Sequence, residues 1–368
     1  MHHGMLIIYK EKGYTSSDAV ARLRGILRMR KIGHTGTLDP DAEGVLPMCL
    51  GNATRICELI ADRDKEYLAV MRLGVRTDTQ DMSGEILSRI PEEEILPLLC
   101  GGGPLTAESA SRRICREAAA FTGGIDQVPP MYSAITVNGK RLYDMARKGI
   151  TVERKARRIT IYALEVEKID LPLVTMRVCC SKGTYIRTLC EDLGNALGTG
   201  AAMESLLRTR VGCFTLEEAK TLDEIEYLAK TDPQALLPLI RPVDRFFGDL
   251  DAAYCEDDAL RLLKNGNALS TRQLRIAQTP AQEADPASGV GADPASGGEA
   301  AGTGPVEEAS GNGSGTIGVP APVLPGTGPR DQVVRVYDRK GTFYGLYIRR
   351  AGQKRFTAYR MFLPETPL

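Results

Sequence analysis

One histidine, two aspartates and three glycines crowd into twelve residues, Gly33-His34-Thr35-Gly36-Thr37-Leu38-Asp39-Pro40-Asp41-Ala42-Glu43-Gly44. His34 is the only histidine outside positions 2 and 3. Pro40 disfavours the α region for Asp39 and so fixes the direction of its carboxylate. A carboxylate held at one spot can serve as a nucleophile or a base. Read alone, an Asp-Pro pair is equally a turn former, and the glycines are ordinary turn positions. A phosphate-loop reading fails, because no Gly-Lys-Ser/Thr follows and the preceding pattern is helical. The second cluster is Ser181-Lys182-Gly183-Thr184-Tyr185-Ile186-Arg187. Arg187 carries a planar fork suited to a carboxylate or phosphate, or it is merely an exposed residue on a capped helix. The third is a basic run through Lys140, Arg141, Arg147, Lys148, Arg154, Lys155, Arg157 and Arg158, with Tyr132 and Tyr143 nearby. Together with Arg22, Arg24, Arg28 and Arg30 it favours a nucleic-acid surface over a merely solvated face.

These residues need elements to hold them. Met5–Tyr9 reads as a strand. Ser16, Ser17 and Asp18 offer an N-cap to a helix whose Val20, Leu23, Ile26 and Leu27 fall at helical spacing. Residues 33–44 are too rich in Gly and Pro for a regular element. Lys65–Leu73 alternates as a strand. Glu92–Leu99, Ser111–Phe121 and Leu142–Lys148 are helical; Tyr132–Val137, Arg158–Lys168 and Leu173–Cys180 are strands; Tyr185–Leu197 is a helix. Strands and helices interleave without regular βα repeats. The pattern predicts an α+β catalytic domain over 1–245, built on a mixed sheet. Strands at Gln332–Tyr337 and Phe343–Ile348, joined by Asp338-Arg339-Lys340-Gly341, read as a hairpin. With 246–277 they predict a small β-rich domain over 246–277 and 330–368.

Residues 278–329 interrupt that domain. They hold 12 Gly, 8 Pro and 9 Ala in 52 positions, and Asp-Pro-Ala-Ser-Gly occurs twice. Such a segment cannot bury enough apolar surface to offset its ordering entropy, so a disordered, dispensable insertion is expected. It carries six acids and no Lys or Arg, which leaves 47 basic against 41 acidic residues elsewhere, a net charge of +6. The whole chain of 368 residues is neutral, which excludes a uniformly basic coat protein but not a local basic face. Nine cysteines without a Cys-x-x-Cys pair, and so few histidines, assemble no zinc pattern. Reduced thiols in a cytoplasmic protein are expected. No apolar run approaches the ~20 residues of a membrane span, and the first residues lack a signal-peptide core.

Several of these stretches, in order, resemble the TruB family of tRNA pseudouridine synthases. Gly33 to Pro40 is similar to that family's signature loop. Lys10 with Gly13-Tyr14-Thr15-Ser16-Ser17 resembles its first motif. Asp64-Lys65-Glu66-Tyr67 and Leu73-Gly74-Val75-Arg76-Thr77-Asp78-Thr79 resemble its second. Pro130-Met131-Tyr132-Ser133-Ala134, Gly139-Lys140-Arg141-Leu142-Tyr143 and the cluster ending at Arg187 follow in the family's order. The resemblance spans about 1–215 and weakens after 245, where the family carries a small PUA-type RNA-binding domain. The insertion and the stretch Gly101–Ser109 depart from the family pattern.

The resemblance implies a pseudouridine synthase fold with a largely antiparallel central sheet flanked by helices. It implies isomerisation of uridine 55 in the tRNA T loop by base flipping, with no cofactor and no metal. The implied catalytic residues are Asp39, Tyr67 and Arg187. Asp39 is the essential carboxylate, with attack at ribose C1′, attack at base C6 and proton removal at C2′ all open. Lys10, His34, Gly36, Thr37, Tyr185 and Leu206 are implied substrate contacts, His34 entering the RNA loop where the base departs. Arg55, Lys140, Arg141 and Arg208 are implied RNA contacts. The implied partner is the T arm of tRNA, bound by a monomer without guide RNA. An RNA chaperone, a guide-dependent synthase and a non-RNA enzyme using Asp39 as a base are the competing classes.

Overall fold

The computed structural model describes residues 3–137, 139–277 and 324–362. The chain divides into two compact units, Met1–Phe246 and Phe247–Leu368. In the first unit the strands are β1 (Gly4–Lys10), β2 (Ile32–His34), β3 (Glu43–Leu50), β4 (Lys65–Leu73), β5 (Val75–Thr77), β6 (Ile86–Arg89) and β7 (Gly123–Gln127). They continue with β8 (Thr136–Val137), β9 (Lys140–Arg141), β10 (Arg157–Asp170), β11 (Leu173–Cys180), β12 (Ala201–Val211), β13 (Phe214–Thr215) and β14 (Ile240–Arg241). The main sheet runs β14-β1-β3-β12-β4-β11-β10-β7, with β2 added to β3 and β13 to β12. Every pairing in it is antiparallel except β3 with β12. The sheet is therefore mixed and largely antiparallel, as the sequence implied.

Two apolar clusters cover this sheet. Helices α3 (Glu92–Cys100), α4 (Ala107–Ala119) and α6 (Ile186–Leu197) supply Ile95, Ile114, Leu189 and Leu193 to one, where they meet Met71, Val174 and Met176. Helices α1 (Ser16–Leu27) and α7 (Leu222–Thr231) supply Val20, Leu23 and Ile225 to the other, against Leu6, Ile8 and Leu46. Strand β4 shows why the placement is firm: its residues alternate between buried and half-buried along its whole length. A one-residue slip would turn Tyr67, Ala69 and Met71 off the core face. Helix α1 is capped by Thr15 rather than by the Ser16–Asp18 stretch expected. The Thr15 hydroxyl accepts from the Asp18 amide, and the Asp18 carboxylate accepts from the Thr15 amide, a reciprocal capping box.

The remaining helices of this unit are short, α2 (Cys57–Ala61) and α5 (Leu142–Ala146). The expected strand over Tyr132–Val137 shrinks to β8, which pairs only with β9. Strands β3 and β12 were absent from the sequence reading, although they sit at the centre of the sheet.

The second unit is a sheet of β15 (Asp251–Cys255), β16 (Leu269–Ser270), β17 (Leu274–Ala277), β18 (Gln332–Tyr337), β19 (Phe343–Arg349) and β20 (Arg355–Met361). Its order is β16-β20-β19-β18-β15-β17, around a core that includes Val334, Val336, Tyr347 and Phe356. The β18–β19 hairpin is antiparallel and lies where the sequence placed it. Helix α8 (Leu260–Lys264) packs Leu263 on the same core. The expected insertion at 278–329 falls outside the described residues as far as 323. Its last six residues do not: Leu324 is buried, and its carbonyl accepts from the Thr327 amide and hydroxyl.

Candidate active site

The loop that carries Asp39 is held from below by buried polar groups. Lys10 ends β1 with its side chain wholly buried. Its ammonium donates to the carbonyls of Glu11 at 3.0 Å, Pro40 at 3.0 Å and Ala42 at 2.6 Å. Two carbonyls just after Asp39 and that of Glu11 are thus satisfied by one cation, whose proton affinity burial pushes down to about 8. Lys10 supports the loop and is not among the residues that line the cavity described below. Ser16 adds a second clamp: its hydroxyl donates to the Leu38 carbonyl and accepts from the Leu38 amide. The Gly13 amide donates to the Pro40 carbonyl at 2.9 Å.

Arg187 meets Asp39 from the opposite side. It sits one residue into α6, buried, with Nε 3.0 Å from Asp39 Oδ2. The rest of its fork is committed. Nη1 donates to the Thr79 carbonyl at 3.1 Å and lies 3.4 Å from Asp81 Oδ2, and Nη2 donates to the Tyr132 carbonyl at 2.9 Å. A guanidinium held this way presents Nε in one direction only. The start of α6 is pinned by Gln127 at the end of β7, whose side-chain amide exchanges hydrogen bonds with both the Tyr185 amide and carbonyl. Asp39 stays accessible on one face, its side chain 40% exposed, while protein crowds its other sides. That crowding lifts its carboxyl above the ordinary carboxylate range, and the Arg187 charge works against the lift.

A cavity of about 280 Å³ opens beside this pair, lined by Gly36, Thr37, Asp39, Tyr67, Tyr185, Arg187, Leu206 and Arg208 among others. Tyr67 and Leu206 point into it from β4 and β12. Burial pushes the Tyr67 phenol up to about 12, so it remains protonated at neutral pH. Its neighbour across the β4–β12 ladder is Arg208, which is 1% exposed. Arg208 Nε donates to the Val45 carbonyl at 2.7 Å, Nη2 donates to the Gly36 carbonyl at 3.4 Å, and the guanidinium hydrogen-bonds the Tyr67 phenol. Arg208 thus joins Tyr67 to the Gly36 turn at the cavity wall. Gly44 makes the close packing possible. Its φ of +106° suits glycine, and a β-carbon there would lie 2.3 Å from the Arg208 carbonyl oxygen.

His34 lies on a different surface. It lines a second, more open cavity with Arg24, Arg30 and Lys31. The Gly36 amide donates to His34 Nδ1 at 3.3 Å, which leaves the proton of the neutral ring on Nε2. Burial, then the Arg208 charge, lowers its pKa. Lys140 and Arg141 are exposed on β9, with the Arg141 guanidinium 5.9 Å from the Tyr143 ring centre. Arg55 is exposed on the 3-10 turn Gly51–Ile56. Sequence reasoning missed Asp81, Gln127 and Lys65. Lys65 lines the cavity, donates to the Ala61 carbonyl at 2.5 Å, and is pushed down to about 8 by burial. Asp81 lies two residues beyond a recognised motif, and only the fold brings it to Arg187. No group of His, Cys, Asp and Glu fit to hold a metal occurs among the described residues.

A one-base-sized cavity with a guanidinium-paired aspartate at its rim, on a largely antiparallel sheet, is the arrangement of a base-modifying enzyme. Residues 24–186 match the model of the TruB family pseudouridylate synthase N-terminal domain, and 187–247 that of the tRNA pseudouridylate synthase B C-terminal domain. The chain is 47% identical over 276 residues to tRNA pseudouridine synthase B of Lachnoclostridium phytofermentans, covering 73% of this chain and 84% of that one. It is 45% identical over 285 residues to the protein of that name from Ralstonia nicotianae, covering 74% and 85%. Among solved structures, a Cbf5-Nop10-Gar1 complex matches with a TM-score of 0.59 at 24% identity, covering 98% of this chain and 85% of that one. That likeness establishes the fold. The chain belongs to the TruB family of pseudouridylate synthases and is a pseudouridine synthase.

Proposed function

We propose that this enzyme isomerises uridine 55 in the T loop of tRNA. The observation that carries the reading is the Asp39–Arg187 pair, 3.0 Å apart, at the rim of a cavity of about 280 Å³. That volume is near the lower end of small-ligand pockets, ~300 Å³, and suits one nucleoside but not a duplex. A uridine must therefore leave its stack to react. Tyr67 offers a flat face beside the flipped base, Leu206 an apolar wall, and the Tyr67 phenol a neutral hydrogen-bonding group. Arg187 favours the ionised form of Asp39 and fixes its direction.

The reaction breaks the N1–C1′ bond, turns the uracil, and joins C5 to C1′; the C5 proton is lost and N1 gains one. Asp39 carries the first step as a nucleophile at C1′ or C6, or as a base at C2′. His34 sits on the far side of the Gly36 turn from the cavity and is suited to occupy the gap the base leaves. The exposed Lys140, Arg141 and Arg55 add phosphate contacts, and binding that depends on them weakens with salt. The second unit is read as a PUA-like RNA-binding domain. The relatives named tRNA pseudouridine synthase B support action on tRNA, and we read the enzyme as a monomer acting without a guide RNA. No helix among the described residues is long and apolar enough to cross a membrane, which agrees with a cytoplasmic enzyme.

Tritium release from a T-arm transcript labelled at uridine C5 tests this reading, since the new C–C bond expels that hydrogen. Release by wild type and not by Asp39→Asn, at saturating protein, is expected. Tight RNA binding with no release by wild type would sink it and favour an RNA chaperone or a guide-dependent synthase.

A further inference from the structure

Two thiols meet behind the Gly33–His34 strand, away from the Asp39 cavity. Gly33 is paired with Cys49 across the β2–β3 ladder. Paired residues present their side chains on one face, and there Cys57 Sγ stands 3.3 Å from the position a β-carbon on Gly33 would take. The two thiols hydrogen-bond to each other. Cys49 is fully buried on β3. Cys57 opens α2, is half-buried, and lines the cavity of about 640 Å³ that also holds Arg24, Arg30 and Lys31. One sulfur is thus reachable by a small solute, with a second sulfur directly behind it. Cys115 and Cys213 are more exposed.

Thiol oxidation begins with a thiolate. The hydrogen bond from Cys49 draws the Cys57 thiol below its ordinary value, while the same bond and then burial hold Cys49 protonated. Burial and the Glu58 charge oppose this lowering without cancelling it.

We propose that Cys49 and Cys57 form an oxidative modification site at which a hydroperoxide closes a disulfide behind Gly33, displacing the strand that carries His34. The Cys57 thiolate takes the terminal oxygen of hydrogen peroxide, the O–O bond breaks, and the departing hydroxide gains a proton to leave as water. The Cys49 sulfur then attacks the Cys57 sulfenic acid, and its proton leaves with the hydroxyl as a second water. Two thiols and one peroxide give one disulfide and two waters; the peroxide is the two-electron oxidant. Bonded sulfurs are closer than hydrogen-bonded ones, so closure draws the first turn of α2 toward β3. A β-carbon on Gly33 would already crowd Cys57 Sγ at 3.3 Å, so little more than a methyl group's space separates β2 from the first turn of α2 to take up that motion.

Trypsin cleavage after Lys31, Arg55 and Arg63 puts Cys49 in peptide 32–55 and Cys57 in peptide 56–63. Full-length protein is treated with hydrogen peroxide, its remaining thiols are alkylated, and the digest is analysed by mass spectrometry. The expected product is peptide 32–55 linked to 56–63, two hydrogens lighter than their sum. It is absent from Cys57→Ser and abolished by dithiothreitol. Recovery of both peptides separately alkylated while Cys115 and Cys213 oxidise would overturn the site, as would an unlinked sulfinic acid at Cys57. The consequence for His34 rests on the RNA reading above and is tested by T-arm RNA binding. A loss of affinity on oxidation, reversed by dithiothreitol and missing in Cys57→Ser, is expected. A linked protein binding RNA as tightly as the reduced one would refute the displacement. Reduced wild type that binds no T-arm RNA would instead count against the RNA reading and leave the mass result standing.

Discussion

Replacing Arg187 by Met removes a cation whose nearest carboxylate is 3.0 Å away and whose second is 3.4 Å away. At roughly 4 Å and an effective dielectric constant of about 20, such a pair is worth about 4 kcal/mol. Asp39 keeps a face open to solvent, its side chain 40% exposed, so the figure is discounted to about 2–4 kcal/mol, roughly 30- to 1,000-fold in kcat/KM. The loss has a pH signature. Burial already lifts the Asp39 carboxyl, Arg187 opposes that lift, and Asp81 adds to it. Without Arg187 the carboxyl rises further, so the acid limb of the kcat/KM profile moves to higher pH and part of the activity returns at alkaline pH. Adding Asp81→Asn to Arg187→Met removes one negative charge from beside Asp39, and the limb moves back toward wild type. Arg187→Lys keeps the charge but cannot reach Asp39, Asp81 and the carbonyls of Thr79 and Tyr132 together; it keeps the acid limb near wild type at a reduced kcat. The assay is C5 tritium release across pH under single-turnover conditions. It is run well below each variant's unfolding temperature, because an orphaned buried partner costs about 3–5 kcal/mol of stability. A uniform loss at every pH, with the limb unmoved in both Met variants, would refute the claim that the ion pair keeps Asp39 ionised.

Three further outcomes follow from the same geometry. Because burial places the Asp39 carboxyl above the ordinary value of ~3.9, the native state binds more protons than the unfolded one within that window, and stability falls as pH rises through it. Asp39→Asn is expected to raise the unfolding temperature at pH 7 and to match wild type below about pH 3; a less stable variant at pH 7 would mean that Arg187 outweighs burial. Lys10 loses its charge near pH 8, so wild-type kcat/KM falls above that point, whereas Lys10→Met is weaker throughout and has no such limb; a wild-type profile flat to pH 10 would contradict the assignment. Gly44→Ala forces a β-carbon to 2.3 Å from the Arg208 carbonyl oxygen at a φ of +106°. The strain alone, about 1–3 kcal/mol, lowers the unfolding temperature by roughly 2–12 °C, checked by calorimetry.

What could be read from the sequence divides along a physical line. Asp39 and Arg187 were legible because each stands in a local motif, and the chain around each is organised by near neighbours: Pro40 beside one, the strand-to-helix turn at Tyr185 before the other. The groups that make the pair work were not. Asp81, the Thr79 carbonyl and the Tyr132 carbonyl reach Arg187 across 55 to 108 positions of chain. No periodicity encodes a contact at that separation. The same limit hid β3 and β12. Gly44 read as a loop residue and Pro47 was given no element, yet Gly44 is needed because β12 passes so close, and Pro47 holds its place in the β1–β3 ladder opposite Ile7. The burial of Arg208 and Lys10 was illegible for a related reason. Charge in a sequence suggests a surface, and a buried cation is recognised only once its acceptors are known. Here those acceptors are main-chain carbonyls, three of them in the catalytic loop: Pro40 and Ala42 with Glu11 on Lys10, and Gly36 with Val45 on Arg208. The expensive burial of two cations goes into fixing the backbone that aims one carboxylate, and that is why a loop of glycine, threonine and proline can position Asp39 as rigidly as a strand would.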